Sequence, residues 1–167
     1  MDFTNRVCQK LHDEHQATVA LLGRLEQLLA RHRPGSAPDA REPAVARLLA
    51  DLSTTVETEL RRHFVFEENS LFTYLETLGN EEIGAHLTDD HKVILPTALE
   101  LAGLARAAAV GGFDEAKWNA FHRLGRELCE RLLPHVEKEE SALLPMLEDS
   151  MDADTEAQLY REYAQNV

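Results

Sequence analysis

Two short stretches each place a histidine four residues ahead of a glutamate: His63-Phe64-Val65-Phe66-Glu67 and His135-Val136-Glu137-Lys138-Glu139. In both, a second glutamate follows at once (Glu68, Glu140), and a Leu-x-x-x-Leu-Glu frame closes the motif, Leu71 to Glu76 and Leu143 to Glu148. Residues four apart on a helix share a face and lie about 6 Å apart along the axis. Each copy therefore aims one imidazole and one carboxylate at a common point. That donor pair suits iron, zinc or manganese better than copper(I) or calcium.

The stretches upstream also match: Leu11-His12-Asp13-Glu14-His15 parallels Leu87-Thr88-Asp89-Asp90-His91. One helical hairpin is used twice, first as His15 with His63-x-x-x-Glu67 and again as His91 with His135-x-x-x-Glu139. Such internal repetition fixes architecture. Six ligands are too many for one tetrahedral zinc and suit two metal ions. Neighbouring helices share a metal, which pairs His15 with His63 and His91 with His135 and leaves Glu67 and Glu139 as bridges. Each ion then keeps positions open for a solvent oxo or hydroxo bridge and a small exogenous ligand. Because the ligands must be deprotonated, metal should be lost in acid.

This arrangement resembles the hemerythrin-like family, the HHE cation-binding domains, over residues from about 8 to 148. His15, His63, Glu67, His91, His135 and Glu139 stand in the family's order. The resemblance implies two iron ions in a four-helix bundle, with dioxygen, nitric oxide or peroxide as the small ligand; zinc or manganese are the other candidate metals. Members of the family carry oxygen, sense oxygen or iron, or act in defence against nitrosative and oxidative stress, and some are linked to repair of iron–sulfur clusters. The oxygen-carrying branch has a His-x-x-x-His pair on the third helix, whereas here Leu87 and Leu95 stand four residues to either side of His91. One iron is then short of a histidine, which favours sensing or reactive chemistry over reversible carriage. A binding or sensing module is the first reading; an enzyme that consumes peroxide or nitric oxide, or an aid to cluster repair, is the alternative. No output domain is visible, so an unidentified protein partner is expected.

Four long amphipathic segments must position these residues. The first runs from a cap at Thr4 to about Arg31, with His15 filling a gap in the stripe Val7, Leu11, Thr18, Leu22, Leu25, Leu29. Arg33 to Pro38 reads as a loop. The second starts at Pro43, a favoured first helical position, and runs to about Leu78 with His63 and Glu67 in its seam. The third starts between Glu81 and Thr88, has a stripe of Leu87, His91, Leu95, Ala98, Leu101 and Ala105, and ends at Gly111-Gly112. Asp114 caps the fourth, whose seam is Trp118, Phe121, Gly125, Leu128, Leu132, His135, Glu139, Ala142, Met146. Kinks are expected at Pro96, Pro134 and Pro145. Residues 152–165 form a short helix with Leu159, Tyr160 and Tyr163 on one side. The expectation is an all-α, up-down-up-down four-helix bundle over residues 1–150, with residues 151–167 packed on it.

The remaining composition mostly excludes. A net charge of −13 argues against nucleic acid and anionic membrane surfaces as partners. No apolar run looks long enough to span a bilayer, and no secretory signal is visible, so a cytoplasmic location is expected. Cys8 and Cys129 form no CxxC pair and read as reduced thiols. Any one of these histidines alone would more often be an ordinary core or surface residue. The duplication changes the balance, because four histidines and two glutamates on seams without metal would leave buried polar groups unmatched. His12 is a candidate for a supporting or extra ligand, although its repeat mate is Thr88. His86 has poor spacing for the site, and His32 and His122 read as solvated. Glu68 and Glu140 point about 100° away from the bridging positions and read as ion-paired or solvated. Tyr74, Trp118, Phe121 and Met146 read as core, and Phe64 or Phe66 as shields against water.

Overall fold

The four apolar stripes each become a helix. The computed structural model describes residues 3–165. Helix α1 spans Arg6–Arg31, α2 runs over 43–77, α3 spans Glu81–Gly111, α4 runs over 115–150 and α5 spans Ala153–Gln165. Among the described residues there is no strand. Each of the first four helices packs on the next and α4 returns to α1, giving the up-down-up-down bundle that short connections favour. Helix α5 packs across α1 and the nearby part of α2.

The helix ends follow local chemistry. α1 starts one residue later than expected: the side chain of Asn5, not Thr4, accepts the N–H groups of Val7 (2.9 Å) and Cys8 (3.2 Å). Thr4 instead donates its N–H and hydroxyl to Glu148 near the end of α4. Asp114 caps α4 as expected, accepting from the Lys117 N–H at 2.7 Å. Gly79 and Gly112, at φ 74° and 75°, take positive φ values that glycine adopts without steric cost, and the second and third helices stop there. Pro96 and Pro134 lie within continuous helices.

Helix α3 departs from one expectation. By length and composition it is apolar enough to cross a membrane. Its place in the bundle accounts for part of that character: it packs between α2 and α4 and buries Leu87, Ile94, Ala98, Leu101, Ala102, Ala105 and Ala108. Ile94 takes the buried place expected for Leu95, which is half-buried.

The rods α2 and α4 are not uniform. Both contain a wide π-helical turn that begins at the seam glutamate, Glu67–Leu71 in one and Glu139–Leu143 in the other; α2 has a further one at Thr55–Leu60. A π turn accommodates an extra residue, which rotates the following helix by about 100° relative to an unbroken one. The buried face downstream accordingly moves on by one position. In α2 it is Leu71, Phe72 and Leu75, with Tyr74 half-buried and Leu78 exposed. In α4 it is Leu143, Leu144 and Leu147, where an unbroken period would have put Ala142 and Met146. The buried leucines are those of the repeated Leu-x-x-x-Leu frame.

The buried apolar residues fall into two clusters that share no member. The larger joins Leu22, Leu25, Leu49, Leu52, Leu101, Trp118, Phe121 and their neighbours. The smaller gathers Phe3, Val7, Leu11, Phe66, Leu71, Phe72, Leu75, Leu143, Leu147, and Leu159 and Tyr163 from α5. Between them lies a buried polar layer of His15, His63, Glu67, His91, His135 and Glu139.

Candidate metal centre

All six seam residues converge. α1 supplies His15, α2 supplies His63 and Glu67, α3 supplies His91, and α4 supplies His135 and Glu139. Two half-sites form, each with its donor atoms within 4.8 Å of one another: His15, His63, Glu67 and Glu139 in one, and His91, His135, Glu67 and Glu139 in the other. In the first, Nε2 of His15 and His63 are 3.3 Å apart; in the second, Nε2 of His91 and His135 are 3.1 Å apart. Each glutamate divides its oxygens between the halves. Glu67 sets Oε1 3.2 Å from Nε2 of His63 and Oε2 3.3 Å from Nε2 of His91. Glu139 sets Oε2 2.9 Å from Nε2 of His15 and Oε1 2.9 Å from Nε2 of His135.

The outer nitrogens are held by a ring of four carboxylates. Nδ1 of His15 donates to Glu140 (2.6 Å), Nδ1 of His63 to Glu14 (2.9 Å), Nδ1 of His91 to Glu68 (2.8 Å) and Nδ1 of His135 to Asp90 (3.2 Å). The ring obeys the repeat. The acid just before each upstream histidine (Glu14, Asp90) serves the downstream histidine of its own hairpin, and the acid just after each seam glutamate (Glu68, Glu140) serves the upstream histidine of the other. A donating Nδ1–H leaves Nε2 with its lone pair facing inward, the tautomer used in carboxylate–histidine–metal arrangements.

These residues fit a pair of cations. Glu67 and Glu139 are 0% and 1% exposed, and none of their four oxygens has a hydrogen-bond partner among the described residues. Buried carboxylate oxygens without partners are costly, and four imidazole nitrogens converge beside them. Metal ions would satisfy both sets. Six carboxylates, two inside and four outside, surround this centre, so the local charge also calls for cations.

Protonation follows the same logic. Burial pushes the Glu67 carboxyl up, but His63 and His91 outweigh it and hold it well below the usual range. Burial and Glu67 push Glu139 up, and His135 and His15 bring it below the usual range. Burial lowers His63 and His135, yet Glu67 with Glu14 in one case, and Glu139 with Asp90 in the other, raise both above 6.5. Glu14, despite burial, is held at about 2 by hydrogen bonds from His63, Tyr163 and Lys10.

A cavity of about 20 Å³ opens beside the centre, lined by His15, His63, His135 and Glu139 and walled by Leu60, Phe64 and Leu132. That is room for about one water-sized body. On the other side Phe64 stacks on His91, ring centroids 3.7 Å apart, and Phe72 stacks at 5.9 Å.

The Hemerythrin HHE cation binding domain profile matches residues 7–147, and again residues 86–165. The chain belongs to the hemerythrin HHE cation-binding family. No individual curated protein matches it. The HHE match spans both hairpins and all six seam residues, and cation binding at the buried His/Glu cluster accords with it.

Several neighbours of the HHE centre differ from expectation. Glu68 and Glu140 are neither simply solvated nor paired to a surface cation. Their 100° offset turns them toward the adjacent helix, where His91 and His15 present Nδ1. His12 is not among the convergent donors; its Nδ1 donates to the other oxygen of Glu140 at 2.8 Å. His86 accepts from Lys138 at 3.0 Å. His122 is buried, donating Nε2–H to the Leu29 carbonyl at 3.1 Å, and His32 is half-buried against Trp118. Glu14 and Asp90 had no role assigned from spacing, although their repeated place just before a histidine was a usable signal. Of the proposed shields, Phe64 covers His91, whereas Phe66 packs on Tyr163 at 4.7 Å.

Proposed function

We propose that this HHE domain holds two iron ions, with His15 and His63 on one, His91 and His135 on the other, Glu67 and Glu139 bridging both, and that the centre binds or senses a small ligand such as dioxygen, nitric oxide or peroxide. The observation that carries the reading is the cavity of about 20 Å³ reaching the donor cluster at His63, His135 and Glu139. It offers room for about one water-sized body beside the donors. Imidazole and carboxylate donors suit iron, and carboxylates behind every imidazole raise its basicity, which favours a cation of higher charge. Iron would supply reversible electron transfer to the small ligand. The residues of the chain orient the donors, wall the cavity with Phe64, Leu60 and Leu132, and line it with Glu14 and Glu59.

The test is metal analysis of the purified protein with absorption spectra taken reduced under argon, then after air or nitric oxide. Two irons per chain and a visible band that changes with the gas are expected. Zinc alone, one metal per chain, or a spectrum indifferent to both gases would overturn the reading. Repeated consumption of peroxide or nitric oxide would establish the enzymatic alternative, and a single stoichiometric event the sensing one.

A further inference from the structure

We infer that Tyr163, on the C-terminal helix, is a positioning residue for one half of the centre, so that metal binding at His15/His63 and docking of α5 are linked. The inference rests on the dinuclear reading above and goes beyond it by making the two metal positions unequal.

The observation is a continuous chain of contacts. The Tyr163 hydroxyl donates to Oε1 of Glu14, and Oε2 of the same carboxylate accepts from Nδ1 of His63 at 2.9 Å. His63 points its other nitrogen into the centre. Tyr163 is 5% exposed; its ring packs edge-on to Phe66 and lies under the Arg62 guanidinium, 5.0 Å from the centroid. Helix α5 also packs on Glu67–Leu71, the wide turn that carries a bridging glutamate. The remaining α5 contacts are modest: Leu159 in the smaller apolar cluster, and Arg6, which pairs with Glu156 at 2.6 Å and sits over the exposed Tyr160 ring.

The duplication provides an internal control. Asp90, the repeat mate of Glu14, holds His135 but receives no group from α5; its other partner is Lys138, on α4, at 2.8 Å. Glu140 shares its oxygens between His15 and His12 within the bundle. Glu14 is thus the outer carboxylate tied to a helix outside the two hairpins. An outer partner that fixes a ligand's orientation commonly changes metal affinity by about 10–100-fold. Tyr163 acts one bond further out, so a loss of about tenfold at one position is expected. Linkage is reciprocal: if α5 strengthens the metal, the metal strengthens α5. This gives the centre a route to a surface element that a partner can read.

The test uses the full chain loaded with cobalt(II). Titration of the wild type and of Tyr163→Phe should show two metals in each, with one dissociation constant weakened about tenfold and the other unchanged. Proton spectra of the cobalt-loaded protein should show one shifted imidazole N–H signal, that of His63, moving or exchanging faster in Tyr163→Phe while the others hold. Lys138→Met should do the same to His135. Hydrogen exchange across 153–165 should slow on metal loading of the wild type. Unchanged constants with an unmoved His63 signal, equal weakening of both positions, or exchange in α5 indifferent to metal would each overturn the inference while leaving the dinuclear reading intact. A wild type that takes up no metal would overturn both.

Discussion

Glu67 touches two imidazoles from two helices with two different oxygens, Oε1 toward His63 and Oε2 toward His91. No single proton can serve both contacts, and the carboxylate is fully buried. Glu67→Gln removes the charge and one donor oxygen while keeping the shape. It should lower metal stoichiometry below two and abolish most of the thermal stabilisation that metal confers, about 4 kcal/mol per site at a thousandfold excess over Kd. In chelator the variant should also melt lower than the wild type at neutral pH, because it loses the charged carboxylate that His63 and His91 hold well below the usual range. Scanning calorimetry with and without metal reads both arms.

The metal-free and loaded proteins should respond to pH in opposite directions. His63 and His135 have raised values when folded without metal. Their contribution to stability is complete below about 6.5 and is lost as pH rises through the raised values. Glu14 works the other way: its contribution is present above 4.5 and is lost as pH falls toward about 2. The metal-free protein should therefore be most stable in mildly acidic solution. Loading requires the imidazoles to give up protons, so adding metal near pH 7 should release about two protons per chain, one from each histidine pair. A pH-stat or weakly buffered indicator measures the release.

Glu140 holds His15 and His12 together. Glu140→Ala should weaken metal binding about 10–100-fold. His12→Ala, which leaves Glu140 on His15, should cost less. Competition against a chromophoric chelator ranks the two.

The thiols should be inert in the folded protein. Cys8 and Cys129 are buried and unpaired, and burial, reinforced by nearby glutamates, pushes both up to about 12. An aromatic disulfide reagent should find almost no reactive thiol at pH 8 until denaturant is added, and then two. Replacing both by Ala should leave metal stoichiometry unchanged.

The six convergent residues were legible because the chain states them twice, at helical spacing, on seams that are otherwise apolar. The pairing of His15 with His63 and of His91 with His135 followed from helix adjacency alone. The outer ring was not legible. Glu68 and Glu140 look like surface residues because periodicity along one helix says which way a side chain points but not which neighbour stands there. The face downstream of the site was misplaced for a different reason. Ala142 and Met146 continue an unbroken period, but the wide turn at Glu139 spends an extra residue, and the burial passes to Leu143 and Leu147. The repeated leucine frame held that information; a fixed period of 3.6 could not use it. Tyr163 illustrates a third case, where the partner of Glu14 lies 149 positions away and outside the repeat.

The slab of histidines and glutamates between the two oily blocks has a bearing on how the molecule comes apart. With ions in place the slab is cross-braced from all four rods, and heating should melt the whole in one sharp step. Stripped of them, it loses that bracing, and the end that contains Phe3, Leu75 and α5 should loosen before the end built on Trp118 and Leu49. Chelation would then convert a single cooperative unit into two, each with its own melting temperature.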